Sequence, residues 1–284
     1  RGAVLPAAGR VCIWRRGAAP ARTAALEGGG YREFMNTGTH VVDPDGTFWF
    51  GCDINGSGST NYALCRLDPD TSTAVAIYQY GSGGSLSDIS EADDGTFYLS
   101  FGDGALRHVT RDGTLLHSAA LGLFSSANGL TVAGDGSIWL FGGGTSLSDI
   151  YRMPSDLSSR TLIAAPGGVP LGDSGRYNCM ARDYLTGDVL FTWRGHLYRY
   201  DADGTYIGDT GGWGTGGGHF DSLVTSRYMP EIVLAVNEHA LSASYPAYIL
   251  KRGVVTPGTT VLSDVVETIV ERCGLYSADL SLSA

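Results

Sequence analysis

Lysine is almost missing from this 284-residue chain: Lys251 is the only one among 19 basic residues, set against 29 acidic ones for a net charge of −10. No basic stripe exists to neutralise phosphates, so nucleic acid is not an expected partner. Long hydrophobic runs are missing too. No stretch reaches eighteen consecutive apolar residues, and no membrane span is expected. The five cysteines (Cys12, Cys52, Cys65, Cys179, Cys273) form no C-x-x-C pair and total an odd number, which argues against a zinc site, a haem or a disulfide framework; buried free thiols are expected instead. No serine lies in a G-x-S-x-G elbow and no Cys–His pair is placed by sequence, so nucleophilic catalysis has no support. Charged residues are only 17% against 43% apolar, which excludes a disordered chain. Arg1 replaces a starting methionine and no charged-then-apolar leader follows it, so the expectation is a piece of a longer chain or a processed product.

Glycine is what the chain has in excess: 42 of them, against 10 prolines and with no three-residue period, marking many corners rather than collagen. The corners repeat. Val41-Val42-Asp43-Pro44-Asp45-Gly46-Thr47-Phe48-Trp49-Phe50 shares its grammar with Ile89-Ser90-Glu91-Ala92-Asp93-Asp94-Gly95-Thr96-Phe97-Tyr98-Leu99 and with Leu130-Thr131-Val132-Ala133-Gly134-Asp135-Gly136-Ser137-Ile138-Trp139-Leu140. A fourth copy spans 180–191 and a degenerate fifth 223–234. Each copy has an alternating apolar run, an acid-glycine turn, a second run rich in aromatic and branched residues, then a third run with an arginine beside apolar residues, as in Leu106-Arg107-His108-Val109 and Leu197-Tyr198-Arg199-Tyr200. The turn glycines are roughly 40 to 50 residues apart, the length of four antiparallel strands with short connections.

A four-stranded unit cannot bury both faces alone, so such units stack in a ring. The expected fold is all-β: a β-propeller of about six four-stranded blades, with five or seven as alternatives, over residues 1–256. Residues 1–29 supply strand-like runs for most of one further blade, its missing strand coming from Asp279 to Ala284 or not at all. The repeat grammar, over residues 36 to 256, resembles the broad superfamily of NHL-repeat proteins, gluconolactonase-like enzymes and streptogramin lyases.

From Thr259 the period changes to three and four: Val261, Leu262, Val265, Val266, Ile269, Val270 and Cys273 predict one amphipathic helix closed by Arg272-Cys273-Gly274, with residues 257–284 forming a second segment. The ordered run Val265-Val266, Cys273-Gly274-Leu275 and Asp279-Leu280-Ser281-Leu282-Ser283-Ala284 resembles the start of baseplate-hub proteins in tails of phages and gene transfer agents. That resemblance implies a structural, non-enzymatic component of a virion tail, part of a symmetric homo-oligomer, touching other tail or baseplate proteins or a host cell-surface polysaccharide.

In a propeller, ligands gather on the axis where the innermost strands begin. The residues expected there are His40, Asp88, Asn128, Asn178 and Asp221. Such a ring would suit a hard cation, and the gluconolactonase-like resemblance implies a metal at that mouth with Asn128 and Asp221 as the nearest counterparts of its ligands. His40 stands where that family's glutamate is wanted. The alternative function is therefore a lactonase or lyase with calcium or another divalent cation on the axis, using Asn128, Asn178 and Asp221; the preferred expectation is no cofactor. Asn and Asp at strand starts also satisfy turn backbone locally, which explains the same residues without a ligand. The acid-glycine turns lack the twelfth-position glutamate of a calcium loop and are expected to be plain hairpins. Trp213, in the glycine-rich loop before His219, is a candidate for stacking on a sugar, as are Tyr177 and Tyr245, or for packing between blades.

Overall fold

The computed structural model describes residues 24–26, 31–32, 40–43, 45, 47–53, 62–68, 73–81, 84–121, 126–143, 148–164, 180–193, 196–209, 222–225, 227, 230, 232–236 and 247–251. These residues form strands, turns and bends only. The helix expected from Thr259, and the boundary at 257, lie outside them.

Five sheets follow one another along the chain. The first contains β1 (Ala24–Leu26), β2 (Tyr31–Arg32), β3 (His40–Val42), β4 (Phe48–Asp53), β5 (Tyr62–Asp68) and β6 (Thr73–Tyr80). The second is β7 (Leu86–Glu91), β8 (Phe97–Phe101), β9 (Ala105–Val109) and β10 (Leu115–Ala120). The third is β11 (Ser126–Val132), β12 (Ile138–Gly143), β13 (Ser148–Met153) and β14 (Thr161–Ile163). The fourth is β15 (Met180–Arg182), β16 (Val189–Trp193), β17 (His196–Tyr200) and β18 (Tyr206–Asp209), and the fifth β19 (Ser222–Thr225), β20 (Ile232–Val236) and β21 (Ala247–Lys251). Within the repeats every strand pairs antiparallel with the next, in the meander that the sequence grammar predicts.

The first strands of the repeats touch in series, β3 to β7, β7 to β11, β11 to β15 and β15 to β19. They are the innermost strands, and the sheets radiate outward from them. Period-two alternation then sends neighbouring side chains of one strand to opposite sheets. Phe97, Leu99 and Phe101 pack with Trp49, Leu64 and Tyr80 of the first sheet, whereas Tyr98 between them packs with Leu130, Ile138 and Leu140 of the third. Trp139 and Phe141 point the other way, onto Val189, Phe191 and Tyr200 of the fourth sheet. The core is thus a series of layers between sheets, with edge-tilted aromatic pairs such as Phe141–Phe191, centroids 5.0 Å apart.

Two expectations are corrected. Residues 24–26 do not belong to a separate blade: β1 pairs in parallel with β6, Ala25 opposite Thr73 and Leu26 opposite Ala74, and β2 joins β1, so both lengthen the first sheet at its outer edge. Five sheets are present among the described residues. The expectation of free thiols also fails for one pair, because Cys52 on β4 and Cys65 on β5 form a disulfide, with Cα atoms 6.5 Å apart.

The acid-glycine turns are hairpins. In each the acid's Oδ1 accepts from the backbone N–H two residues on, Asp45 from Thr47 at 2.8 Å, Asp94 from Thr96 at 2.9 Å and Asp135 from Ser137 at 2.8 Å, and Gly95 and Gly136 follow at φ +82° and +81°. In the fourth turn Asp201 instead accepts from the N–H four residues on, that of Thr205, at 2.8 Å.

Candidate functional site

Asp88 is the one expected axial residue whose side chain and partners are fully described, and it is 4% exposed. A bulge at Ser87, where the register between β7 and β8 shifts between Leu86 and Asp88, turns this carboxylate sideways. Its Oδ2 accepts from Leu130 N–H of β11 at 2.7 Å and its Oδ1 from Ile89 N–H at 2.8 Å. One step along, Ser90 Oγ accepts from Val132 N–H at 3.1 Å. Alternate inner-edge amides of the third sheet are therefore met by side chains of the second. Burial pushes the Asp88 carboxyl well above the usual carboxylate range, and the two N–H donors pull it back.

Asp88 stands four residues before Ala92, the residue whose N–H closes its turn, whereas Asn128 stands five before the equivalent Ala133. The matching residue in the second sheet is Ser87, and both Ser87 and Asn128 are bulge residues, since the β11–β12 register shifts between Ala127 and Gly129. Asn128 lies within β11. His40 opens β3, is exposed and lies against Phe48 with ring centroids 5.2 Å apart. Asn178, Asp221 and Trp213 lie outside the described residues. Among the described residues no three His, Cys, Asp or Glu side chains converge as metal ligands. With both Asp88 oxygens taken by backbone amides and His40 on an aromatic ring, these two do not fit an axial cation.

At the opposite end, where the innermost strands finish, charge does converge. Glu91 closes β7 and takes two guanidinium groups: Arg111 on Oε1, and Arg227, which follows β19, on Oε2 at 2.9 Å. Arg111 also binds Asp43 at the end of β3 through both carboxylate oxygens and donates Nε–H to Gly95 O at 2.9 Å. Its guanidinium lies 5.3 Å from the Trp49 ring and 5.1 Å from Phe97, and its hydrogen bond to Asp43 raises its pKa further. Arg182 at the end of β15 reaches Asp93 at 2.8 Å and stacks on Tyr184 at 5.0 Å. Beside them the third and fourth sheets touch backbone to backbone, Gly134 N–H donating to Gly187 O at 2.7 Å. Sequence reading missed this cluster, because its members come from different repeats and pair across them.

A third polar group lies between the second and third sheets. Thr96 donates its hydroxyl to Asp94 at 2.6 Å, so the 2.7 Å contact from Thr96 Oγ1 to His108 Nε2 has the imidazole as donor. His108, 6% exposed, is stacked on Tyr98 at 4.0 Å, and its Nδ1 is buried without a hydrogen-bond partner. Burial, and then the neighbouring His117, lower its pKa against the opposing pull of Asp94. Burial likewise pushes the Tyr98 hydroxyl up to about 12 while it donates to Ser155 O.

Neither a protein family nor a curated protein matches the chain. Its backbone is similar to virginiamycin B lyase from Staphylococcus aureus, in an inactive form with quinupristin, with TM-score 0.50 at 15% identity over 70% of this chain and 62% of that one. The chain is a β-propeller. The propeller of Dos1 is a further similar structure, TM-score 0.47 at 12% identity, covering 66% of this chain and 48% of that chain. The chain thus spans less than two thirds of the length of either structure. At such identity the similarity concerns the fold alone.

Proposed function

We propose that this propeller is a non-enzymatic structural and binding component of a phage-like tail, carried at the baseplate or tail tip. There it is a rigid platform touching neighbouring tail proteins or a host surface polysaccharide, on a particle outside the cell. The observation that supports the non-enzymatic part is the use of Asp88: its buried carboxylate is spent on stitching β7 to β11. The tail assignment rests on the ordered run from Val265-Val266 to Leu282-Ser283-Ala284 and its resemblance to baseplate-hub proteins. An antibody against the chain, used for immunogold labelling of phage-like particles from the source cells, is expected to decorate the tail tip. Particles free of the chain would overturn the assignment.

A second function has one observation in its favour. Asn128 and Asn178 each stand five residues before the residue that closes their turn, Ala133 and Asp183, and Asp221 directly precedes β19, so an oxygen-bearing residue recurs in sequence near the start of three successive repeats. A lactonase or lyase holding calcium or another divalent cation there would use them as ligands. Cation-dependent turnover of a lactone or cyclic depsipeptide by the chain, lost on Asn128→Ala, would establish that function in place of the first.

A further inference from the structure

We infer that, at the end where the innermost strands finish, an ion-pair latch across the axis, centred on Glu91, holds the fifth sheet to the second. In a ring of sheets, neighbours touch through apolar layers, and so they do here. Two ion pairs break that neighbour rule. Arg227 of the fifth repeat reaches Glu91 of the second, 136 residues away, and Arg182 of the fourth reaches Asp93 of the second, 89 residues away. Both skip the third sheet, which has apolar Val132 where the second has Glu91 and the fourth has Arg182. Such contacts are made only through the space the innermost strands surround.

The pair is shielded enough to matter. Glu91 keeps 12% of its side-chain exposure and Arg227 29%, and the carboxylate is held from both sides, by Arg111 anchored on Asp43 and by Arg227. Tyr184 fills the gap between the two arginines of the far side, 5.0 Å from Arg182 and 6.0 Å from Arg227. Among the described side chains, the fifth sheet packs on the fourth through Leu223 and Val233 against Ala181, Leu190 and Leu197. The latch adds a charged tie to that apolar layer.

Hydrogen exchange of the full chain tests this, with β20 amides read against those of β12. Arg227→Gln is expected to speed β20 exchange on the order of tenfold while leaving β12 unchanged, and Arg227→Lys to recover most of the protection. Glu91→Gln, which strands two guanidinium groups at once, is expected to do more; if it fails to fold, the two Arg227 variants still decide. Unchanged β20 exchange in Arg227→Gln, or an equal rise in β12, would overturn the latch.

Discussion

Replacing Asp88 with alanine separates a stitching carboxylate from a ligand. The substitution removes the acceptors of two backbone N–H groups, Leu130 and Ile89, at a position 4% exposed. A buried donor left without a partner costs about 1–3 kcal/mol. Two such donors amount to about 2–6 kcal/mol, less what is regained by no longer burying a carboxylate, and a net loss of about 2–4 kcal/mol is expected. For a chain of this size that lowers Tm on the order of 5–15 °C. Asp88→Asn keeps one acceptor oxygen and carries no charge, so it falls between alanine and the native residue. Calorimetry with and without a chelator reads both variants. A stitching residue gives the same loss in either buffer. Alanine melting within about 1 °C of the native chain, or a loss seen only when calcium is present, would refute the stitching role.

Three further outcomes are expected. Gly113 turns between β9 and β10 at φ +88°, and a Cβ there would meet Ile77 O of the first sheet at 2.1 Å, so Gly113→Ala combines left-handed strain with a backbone clash and costs more than about 2 kcal/mol by chemical denaturation; a loss below about 0.5 kcal/mol would contradict the packing of that turn. His108, lowered from its usual 6.5, binds its proton more readily unfolded than folded, so its contribution is complete above pH 6.5 and is lost as the pH falls from there toward the folded value. Nitrogen NMR is expected to show Nε2–H neutral imidazole at pH 7, and titration at or above 6.5 would contradict it. Non-reducing peptide mapping is expected to recover Cys52 joined to Cys65, and alkylation of both as free thiols would refute the pairing.

The fold was legible because each repeat is written locally: an acid-glycine turn and alternating apolar residues define a hairpin without reference to anything distant. β1 was not, since three residues reveal nothing of a parallel partner almost 50 positions on. The disulfide was legible in principle. Pairing the β4–β5 hairpin sets Phe50 opposite Cys65 and Cys52 opposite Ala63, so the two cysteines become diagonal neighbours, but counting cysteines without building the hairpin hides it. Of the expected axial residues, Asp88 lies on β7 with its carboxylate on backbone amides, a role its place in the repeat does not announce. Asp88 and Asn128 stand one residue apart relative to their turns, and a one-residue offset at a bulge changes which way a side chain faces. The Glu91 cluster had no local signature, because its charges pair across repeats.

Metal content combined with thermal melting tests the central claim most directly, that the axial carboxylate holds sheets together rather than a cation. The native full chain, purified without chelator, is expected to carry no stoichiometric divalent metal by elemental analysis and to melt at the same temperature with and without a chelator. One cation per chain, with a Tm that falls on its removal and returns when it is restored, would contradict the account.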